Sequence, residues 1–166
     1  MIIAKLFDIE MAHRLPSHKG KCKNVHGHTY TMEVAISGIP NENGIIIDFQ
    51  ELKQTVTESI INKFDHRFVV WSQDEINNPQ LEPILEGFKF ANYIPTVENL
   101  SRDFFERIKR ELSINQMNKS LKLQYVKLWE TKTSFAIYDG SDDILKSEFE
   151  LNKSWEVKNE IEKDIP

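Results

Sequence analysis

The stretch CKNVHGHTYTMEVAIS, residues 22–37, decides the fold, because it joins two closely spaced histidines to a strand of alternating character. One side of this strand carries a histidine followed only by apolar or aromatic residues: His28, Tyr30, Met32, Val34 and Ile36. Alternation with a period of two predicts a half-buried β-strand, and the turn formers of residues 38–44 predict its end. His26 and His28 are two residues apart, so a strand that includes both directs their imidazoles to the same face.

The same alternation precedes this stretch over residues 7–14 and places His13 on an apolar face with Phe7, Ile9 and Met11. If the two strands pair antiparallel, their histidine-bearing ends come together. Neutral imidazoles are good zinc ligands, and a set of three leaves a fourth position open to water or substrate, as in catalytic zinc sites. An H-x-H pair alone is more often a pair of ordinary strand histidines. The third histidine makes a metal site the better hypothesis.

Further along the chain, apolar residues recur at helical spacing in two segments. The first predicted helix covers roughly residues 49–62 and follows Asp48 as its N-cap. The second follows Thr96 as its N-cap and carries the stripe Val97, Leu100, Phe104, Ile108 and Leu112. Residues 121–130 and 134–138 have the composition of two more strands, which gives the order ββααββ.

The composition is that of one soluble globular domain, with 166 residues, 40% hydrophobic and 28% charged. We expect a single domain over residues 1–166, with an insertion at 67–95 that is too long for a plain connector and a charged C-terminal extension at 141–166. The net charge of −5 argues against a general nucleic-acid binder. No apolar run approaches the roughly 20 residues of a membrane helix. Acidic residues where a signal peptide would need an apolar stretch, together with the lone cysteine, favour a cytoplasmic location.

Cys22 lies in a loop with three lysines, and three interpretations of it stay open. Nearby positive charge stabilises a thiolate, which would make Cys22 a base or nucleophile. It is also a candidate for a fourth zinc ligand, or for a buried small residue, although the polar surroundings argue against the latter. The three lysines, Lys19, Lys21 and Lys23, form one basic cluster with Arg14. We expect a phosphate-bearing substrate to bind at this cluster.

Two carboxylates are candidates for roles in a site. Asp65 precedes His66, and an aspartate beside a histidine can orient its imidazole for proton transfer, although adjacent residues usually do not. Glu130 ends the third predicted strand. By residue type alone, Glu130 is an ordinary surface carboxylate. A carboxylate at a strand end can, however, accept paired N–H donors from a heterocycle.

Taken together, these motifs resemble the family of the 6-pyruvoyl- and 6-carboxytetrahydropterin synthases, over residues 7 to about 138. The motifs occur in the family's order: FDIEMAHRL at 7–15, CKNVHGH at 22–28, IDF at 47–49, DH at 65–66, PTVENL at 95–100 and ET at 130–131. The gap of three residues between Cys22 and His26 is similar to that of the bacterial 6-carboxytetrahydropterin synthases of queuosine-type deazapurine synthesis.

The resemblance implies an α+β tunnelling fold, with an antiparallel four-stranded sheet and two helices on one face. It also implies trimers whose sheets form a β-barrel, stacked as homo-hexamers. The residue roles that it implies are zinc binding by His13, His26 and His28, catalysis by Cys22, Asp65 and His66, and pterin anchoring by Glu130, with Thr96 and Glu98 near the pterin pocket.

The implied activity is a zinc-dependent carbon–carbon lyase reaction on 7,8-dihydroneopterin triphosphate. Its products would be 6-carboxy-5,6,7,8-tetrahydropterin, acetaldehyde and triphosphate. One alternative is a 6-pyruvoyltetrahydropterin synthase, which eliminates triphosphate but keeps the three-carbon side chain. Another is a non-catalytic zinc- or pterin-binding module in which Cys22 is the fourth ligand.

Overall fold

A six-stranded mixed sheet with helices packed on one face forms the fold of the protein, described here by a computed structural model. The structure describes residues 1–76, 87–114 and 121–141, so nearly all of the predicted C-terminal extension lies outside the described residues. The strands are β1 (Ile2–His13), β2 (His26–Ser37), β3 (Arg67–Trp71), β4 (Phe88–Ala91), β5 (Lys122–Trp129) and β6 (Phe135–Tyr138). Their order in the sheet is β4-β3-β1-β2-β5-β6.

The helices confirm both helix predictions. They are α1 (Phe49–Val56), α2 (Asn62–Phe64) and α3 (Val97–Ile114), with a π-helical turn at Thr57–Ile61 between the first two. Asp48 caps α1, since its side chain accepts a hydrogen bond of 2.7 Å from the N–H of Gln50. Thr96 caps α3 by accepting from the N–H of Asn99. None of the described helices is both long and apolar enough to span a membrane.

Strands β1 and β2 form a long hairpin-like pair that holds the histidines. They pair antiparallel along their whole length, from Ile2 opposite Ser37 to His13 opposite His26. The pair is longer than the alternation predicted, because its N-terminal half is held by the register with β2. This register brings the histidine-bearing ends together, as predicted from the sequence.

The prediction of a four-stranded antiparallel sheet was wrong for the sheet as a whole. Strands β1, β2, β5 and β6 do form a continuous antiparallel set. The insertion at residues 67–95 then adds β3 parallel to β1, and β4 parallel to β3. The chain reaches β3 through the helical segment, which is the crossover that parallel pairing requires. These strands cover the edge of β1 beside His13.

The core lies between one face of the sheet and the helices. Fully buried sheet residues such as Tyr30 and Met32 belong to the same apolar cluster as residues of both helical segments, including Leu52, Ile60 and Phe104. Ridges of apolar residues on one helix face bury against the inner sheet face and drive this packing. The opposite sheet face carries large apolar side chains that are about half exposed: Ile2, Leu6, Phe135 and Ile137.

Candidate metal centre and active site

His13, His26 and His28 converge at the end of the β1–β2 pair. His13 is the cross-strand partner of His26, and His28 faces Met11 two residues away, so all three side chains share the inner face. One ligand nitrogen from each histidine lies within 4.8 Å of the other two. The ring centroids are separated by 4.6 Å between His13 and His26 and by 5.0 Å between His26 and His28. Among the described residues, this is the group whose spacing suits one metal ion.

Backbone carbonyls fix which nitrogen of two of these rings is free. Nδ1–H of His13 donates to the carbonyl of Pro95 over 2.7 Å, and Nδ1–H of His26 donates to the carbonyl of Asn24 over 2.8 Å. A carbonyl only accepts, so each proton is on Nδ1 and each Nε2 carries a free lone pair. Nε2 of His28 is buried and has no hydrogen-bond partner among the described residues. A buried nitrogen without a partner is costly unless a ligand takes it.

The protonation state of the cluster also suits a metal. Burial lowers the pKa of His13, against the opposing effects of the Pro95 carbonyl and the Glu130 carboxylate. Burial likewise lowers the pKa of His28. Both imidazoles are therefore neutral near pH 7, which is the form that binds metal ions. The residues present fit a metal ion held by three nitrogens, with a coordination position left over.

Glu130 reaches this cluster from β5. Trp129, the last residue of that strand, pairs with Thr31, so the next residue lies beside the histidine end of β2. Oε1 of Glu130 is 3.4 Å from Nε2 of His13, and its side chain is 25% exposed. Burial, with help from the Glu130 charge and a hydrogen bond to it, raises the pKa of Tyr30. The partly exposed Glu130 carboxylate thus borders the histidine cluster, and the neutral Tyr30 phenol lies behind it.

Asp65 and His66 form a hydrogen-bonded pair beside β1. Nδ1–H of His66 donates to Oδ2 of Asp65 over 2.8 Å, and Oδ1 of Asp65 accepts the N–H of Glu10 over 2.9 Å. The N–H of His66 donates to the Glu10 carbonyl over 2.7 Å, which fixes the pair to β1. His66 has a φ of 57°, and its side chain is 78% exposed. Nε2 of His66 makes no hydrogen bond to the described residues.

His66 opens onto a cavity of about 530 Å³ whose lining also includes His28, Arg67 and Phe88. This cavity is wide open to solvent. Cys22 is not part of this lining. In the described part of the chain, no hydrogen bond, ion pair or ring contact joins the Asp65–His66 pair to His13 or His26.

Cys22 lies in a 3-10 turn, Lys21–Lys23, and is partly buried. Its carbonyl accepts the N–H of Leu15 over 2.9 Å, which ties the loop to the end of β1. The thiol does not belong to the group of ligand atoms formed by the three histidines. The three neighbouring lysines are exposed.

Arg14 corrects the predicted basic cluster. Its Nε lies 3.2 Å from Oδ2 of Asp74 and its Nη2 lies 3.2 Å from Oε1 of Glu75, so its charge is balanced by the insertion. The Asp74 side chain is fully buried, whereas that of Glu75 is 85% exposed. Arg14 therefore anchors the segment after β3. In this arrangement its guanidinium does not join the lysines in a phosphate-binding cluster.

Thr96 and Glu98 have different surroundings. Thr96 is the N-cap of α3, and the Glu98 side chain is exposed at the first turn of that helix.

Sequence reasoning missed Pro95, Tyr30 and Asp74 as parts of the site or its support. The proline lies directly before the N-cap, which was the one available signal; a backbone carbonyl has no side chain for a motif to reveal.

The sequence model of a family described as "6-pyruvoyl tetrahydropterin synthase" matches residues 2–141. The chain belongs to the 6-pyruvoyl tetrahydropterin synthase family. Its relatives in this family include the 6-carboxy-5,6,7,8-tetrahydropterin synthase of Haemophilus influenzae, which is 35% identical over 144 residues, or 82% of this chain and 96% of the relative. The 6-pyruvoyl tetrahydrobiopterin synthase of Dictyostelium discoideum is 33% identical over 142 residues, or 78% of this chain and 88% of the relative.

Solved structures agree with this membership. The 6-pyruvoyl tetrahydropterin synthase of Caenorhabditis elegans has a TM-score of 0.62 at 25% identity, covering 85% of this chain and 96% of its own. An uncharacterized protein of Wolinella succinogenes has a TM-score of 0.72 at 19% identity, covering 85% of this chain and 98% of its own, and shows a shared fold. The chain is thus a tetrahydropterin synthase family member of α+β fold.

Proposed function

We propose that the protein is a zinc-dependent 6-carboxytetrahydropterin synthase. In this role it converts 7,8-dihydroneopterin triphosphate to 6-carboxy-5,6,7,8-tetrahydropterin, with release of acetaldehyde and triphosphate. The observation that carries the proposal is the cluster of His13, His26 and His28, whose Nε2 atoms are free to share one ion. The 35% identity to a relative named as a 6-carboxy enzyme, over 96% of that relative, supports the carboxy type.

The three histidines would hold zinc, because neutral nitrogen ligands in a set of three are typical of catalytic zinc. Bound zinc supplies Lewis-acid polarisation of the side-chain hydroxyls of the substrate. The tautomers of His13 and His26 are set by carbonyls of Pro95 and Asn24, so their lone pairs need no reorganisation before metal binding. We assign the pterin ring to Glu130, whose carboxylate borders the cluster and can accept paired N–H donors.

Two residues act as proton carriers in this proposal. The thiol of Cys22, in the turn Lys21–Lys23, exchanges a proton on one face of the substrate side chain. His66, oriented by Asp65 through Nδ1, exchanges protons at Nε2 on the other face. Thr96 and Glu98 complete the substrate pocket, and the exposed lysines beside Cys22 bind the triphosphate.

A 6-pyruvoyltetrahydropterin synthase is the second candidate, favoured by the 33% identity to the Dictyostelium relative of that type. The deciding experiment is one incubation of the zinc-loaded protein with dihydroneopterin triphosphate, followed by identification of the products by mass. Acetaldehyde together with a one-carbon carboxy side chain supports our proposal. A product that retains the three-carbon side chain assigns the protein to the pyruvoyl type.

The metal requirement is tested separately. We expect one zinc ion per chain in the wild type, and His28→Ala should lose zinc and turnover together, because it removes the buried Nε2 without a partner. His18→Ala is the matched control, since His18 lies outside the cluster and its imidazole accepts a hydrogen bond from the N–H of Gly20. Full zinc occupancy in His28→Ala would refute the site. Zinc binding without any turnover in the wild type would support the non-catalytic module.

We further propose a cytoplasmic homo-hexamer, built as two stacked trimers, that acts in queuosine-type deazapurine synthesis. The helix-free sheet face supports assembly, because Ile2 and Leu6 are 56% and 58% exposed there and Phe135 is 49% exposed. Large apolar side chains exposed on a sheet face can be buried against a second copy of the chain. Light scattering of the full chain measures the mass, and a monomer would exclude the proposed barrel.

A further inference from the structure

The turn formed by Ile94, Pro95 and Thr96 supplies the hydrogen-bond partner of the most buried histidine. His13 is 1% exposed, and its Nδ1–H donates to the Pro95 carbonyl over a short 2.7 Å. The hydroxyl of Tyr30 lies 3.3 Å from both ring nitrogens, so it is not directed along the lone pair of either one. The Pro95 carbonyl therefore sets the tautomer and the ring orientation of His13.

Two donors fix this turn by converging on the carbonyl oxygen of Ile94. The N–H of Thr96 donates to it over 2.8 Å, which closes a three-residue turn centred on Pro95. Nδ2 of Asn99 donates to the same oxygen over 3.0 Å. The proline ring restricts φ to the range that such a turn needs.

The geometry of a peptide unit connects this turn to the metal cluster. In a trans peptide the C=O and the N–H point in opposite directions. When the N–H of Thr96 is turned toward Ile94, the carbonyl of the same peptide unit, that of Pro95, points out of the turn and toward His13. A hydrogen bond that holds the Ile94 carbonyl in place thus also holds the direction of the Pro95 carbonyl.

We propose that Asn99 is a positioning residue of the metal centre. It acts through Ile94, Pro95 and His13 without touching the metal, and the inference rests on the proposed zinc site. The side chain of Asn99 does not cap its own helix, because Thr96 provides that cap through the Asn99 backbone N–H. Instead it reaches back five residues to a carbonyl outside the helix. Outer partners of ligating histidines orient the ring and raise its affinity for metal.

The test measures zinc affinity by competition with a chromophoric chelator, on the full chain after metal removal. Asn99→Ala removes the donor, and Asn99→Asp replaces it with an acceptor facing the Ile94 carbonyl. We expect zinc affinity to fall in both variants, by less than the range of about 10-fold to 100-fold for direct partners of metal ligands, because Asn99 acts through the turn and does not contact His13. Asn99→Gln keeps the amide donor and should retain more affinity than Asn99→Asp.

Ser101→Ala is the matched control, because Ser101 makes a side-chain hydrogen bond of 2.9 Å to the Glu98 carbonyl in the same helical turn. It should lower thermal stability without changing zinc affinity. Replacing zinc with Co²⁺ gives a second readout, since the visible absorption of cobalt reports coordination geometry. We expect an altered spectrum in the Asn99→Asp variant and a wild-type spectrum in Ser101→Ala.

The outcomes separate this inference from the proposed function. Wild-type zinc affinity and a wild-type cobalt spectrum in both Asn99→Ala and Asn99→Asp would overturn the positioning role while leaving the zinc site intact. A wild-type protein that binds neither metal would refute the zinc site itself. An equal loss of affinity in Ser101→Ala would show that helix stability, and not the direction of the Pro95 carbonyl, controls the metal.

Discussion

Oε1 of Glu130 lies 3.4 Å from Nε2 of His13, the nitrogen that the Pro95 carbonyl leaves free for a metal ion. Burial lowers the pKa of this histidine, so the imidazole is neutral near pH 7 and the approach is not an ion pair. Burial is the main cause of the raised pKa of Tyr30, and the Glu130 carboxylate adds to it. Glu130 is thus a hydrogen-bond acceptor beside the histidine cluster, and one side of it is open to solvent.

Replacement of Glu130 with glutamine should weaken pterin binding and leave zinc in place. Glu130→Gln keeps the size but exchanges one acceptor oxygen for a donor, so ring N–H groups of the ligand lose a partner. We expect a loss of about 2 to 4 kcal/mol, on the order of 30-fold to 900-fold in affinity. Titration of a pterin product analogue into the zinc-loaded wild type and variant measures it. Equal dissociation constants would show that the pocket is assigned to the wrong strand end.

Cys22→Ala should bind zinc normally and fail to form the carboxytetrahydropterin product. The reason is that the thiol lies outside the group of ligand atoms formed by the three histidines, while the proposed reaction uses it as a proton carrier. Metal content and product formation are measured on the same preparation. Ser17→Ala, a change at an exposed position before the same turn that leaves the thiol intact, serves as the folding control. Loss of zinc in Cys22→Ala would instead make Cys22 the fourth ligand.

The histidine end of the sheet could be predicted because each part of it has a local signal. The period of two places His13, His26 and His28 on apolar faces, and antiparallel pairing of neighbouring strands is the common arrangement. The Glu130 contact depends on the register of β5 against β2, about 100 residues away in sequence. No local pattern contains that register.

The insertion at 67–95 could not be predicted for a related reason. Its strands β3 and β4 have five and four residues, too few to show a period, and they become strands only by pairing with the edge of β1. The buried partner of Arg14, Asp74, follows β3 without any motif. Tertiary pairing determines this segment, so single-sequence patterns give little information about it.

Removal of the Asp74 carboxylate should destabilise the protein more than removal of the neighbouring Glu75 carboxylate. Asp74→Ala leaves the guanidinium of Arg14, which is 15% exposed, without its buried counter-charge. We expect a loss in the free energy of unfolding of about 3 kcal/mol, at the low end for breaking a buried pair, because Glu75 still faces Arg14. Glu75→Ala should cost less than about 1 kcal/mol, as for exposed pairs. Denaturant unfolding measures both, and equal losses would contradict the anchoring role of Asp74.

The Asp65 carboxylate should stabilise the protein at neutral pH and lose this effect in acid. Burial tends to raise the pKa of Asp65, but the N–H of Glu10 and the imidazole of His66 outweigh it, so the pKa lies below its ordinary value of 3.8. A lowered carboxyl pKa means that the unfolded chain binds the proton more readily than the folded one does. The stabilisation is therefore complete well above pH 3.8 and disappears as the pH falls through the lower folded pKa.

Asp65→Asn tests this stabilisation, because asparagine keeps the shape of the side chain and removes the titrating carboxyl group. The difference in the free energy of unfolding between wild type and variant should be present at about pH 5 and shrink below about pH 4. Subtracting the two proteins cancels the titration of groups that do not contact Asp65, such as His13. The variant should also lose turnover at pH 7 while retaining zinc, because the His66 ring loses its charged acceptor for Nδ1–H, 2.8 Å away. A difference that stays unchanged into acid would mean that the Asp65 charge does not hold His66 against β1.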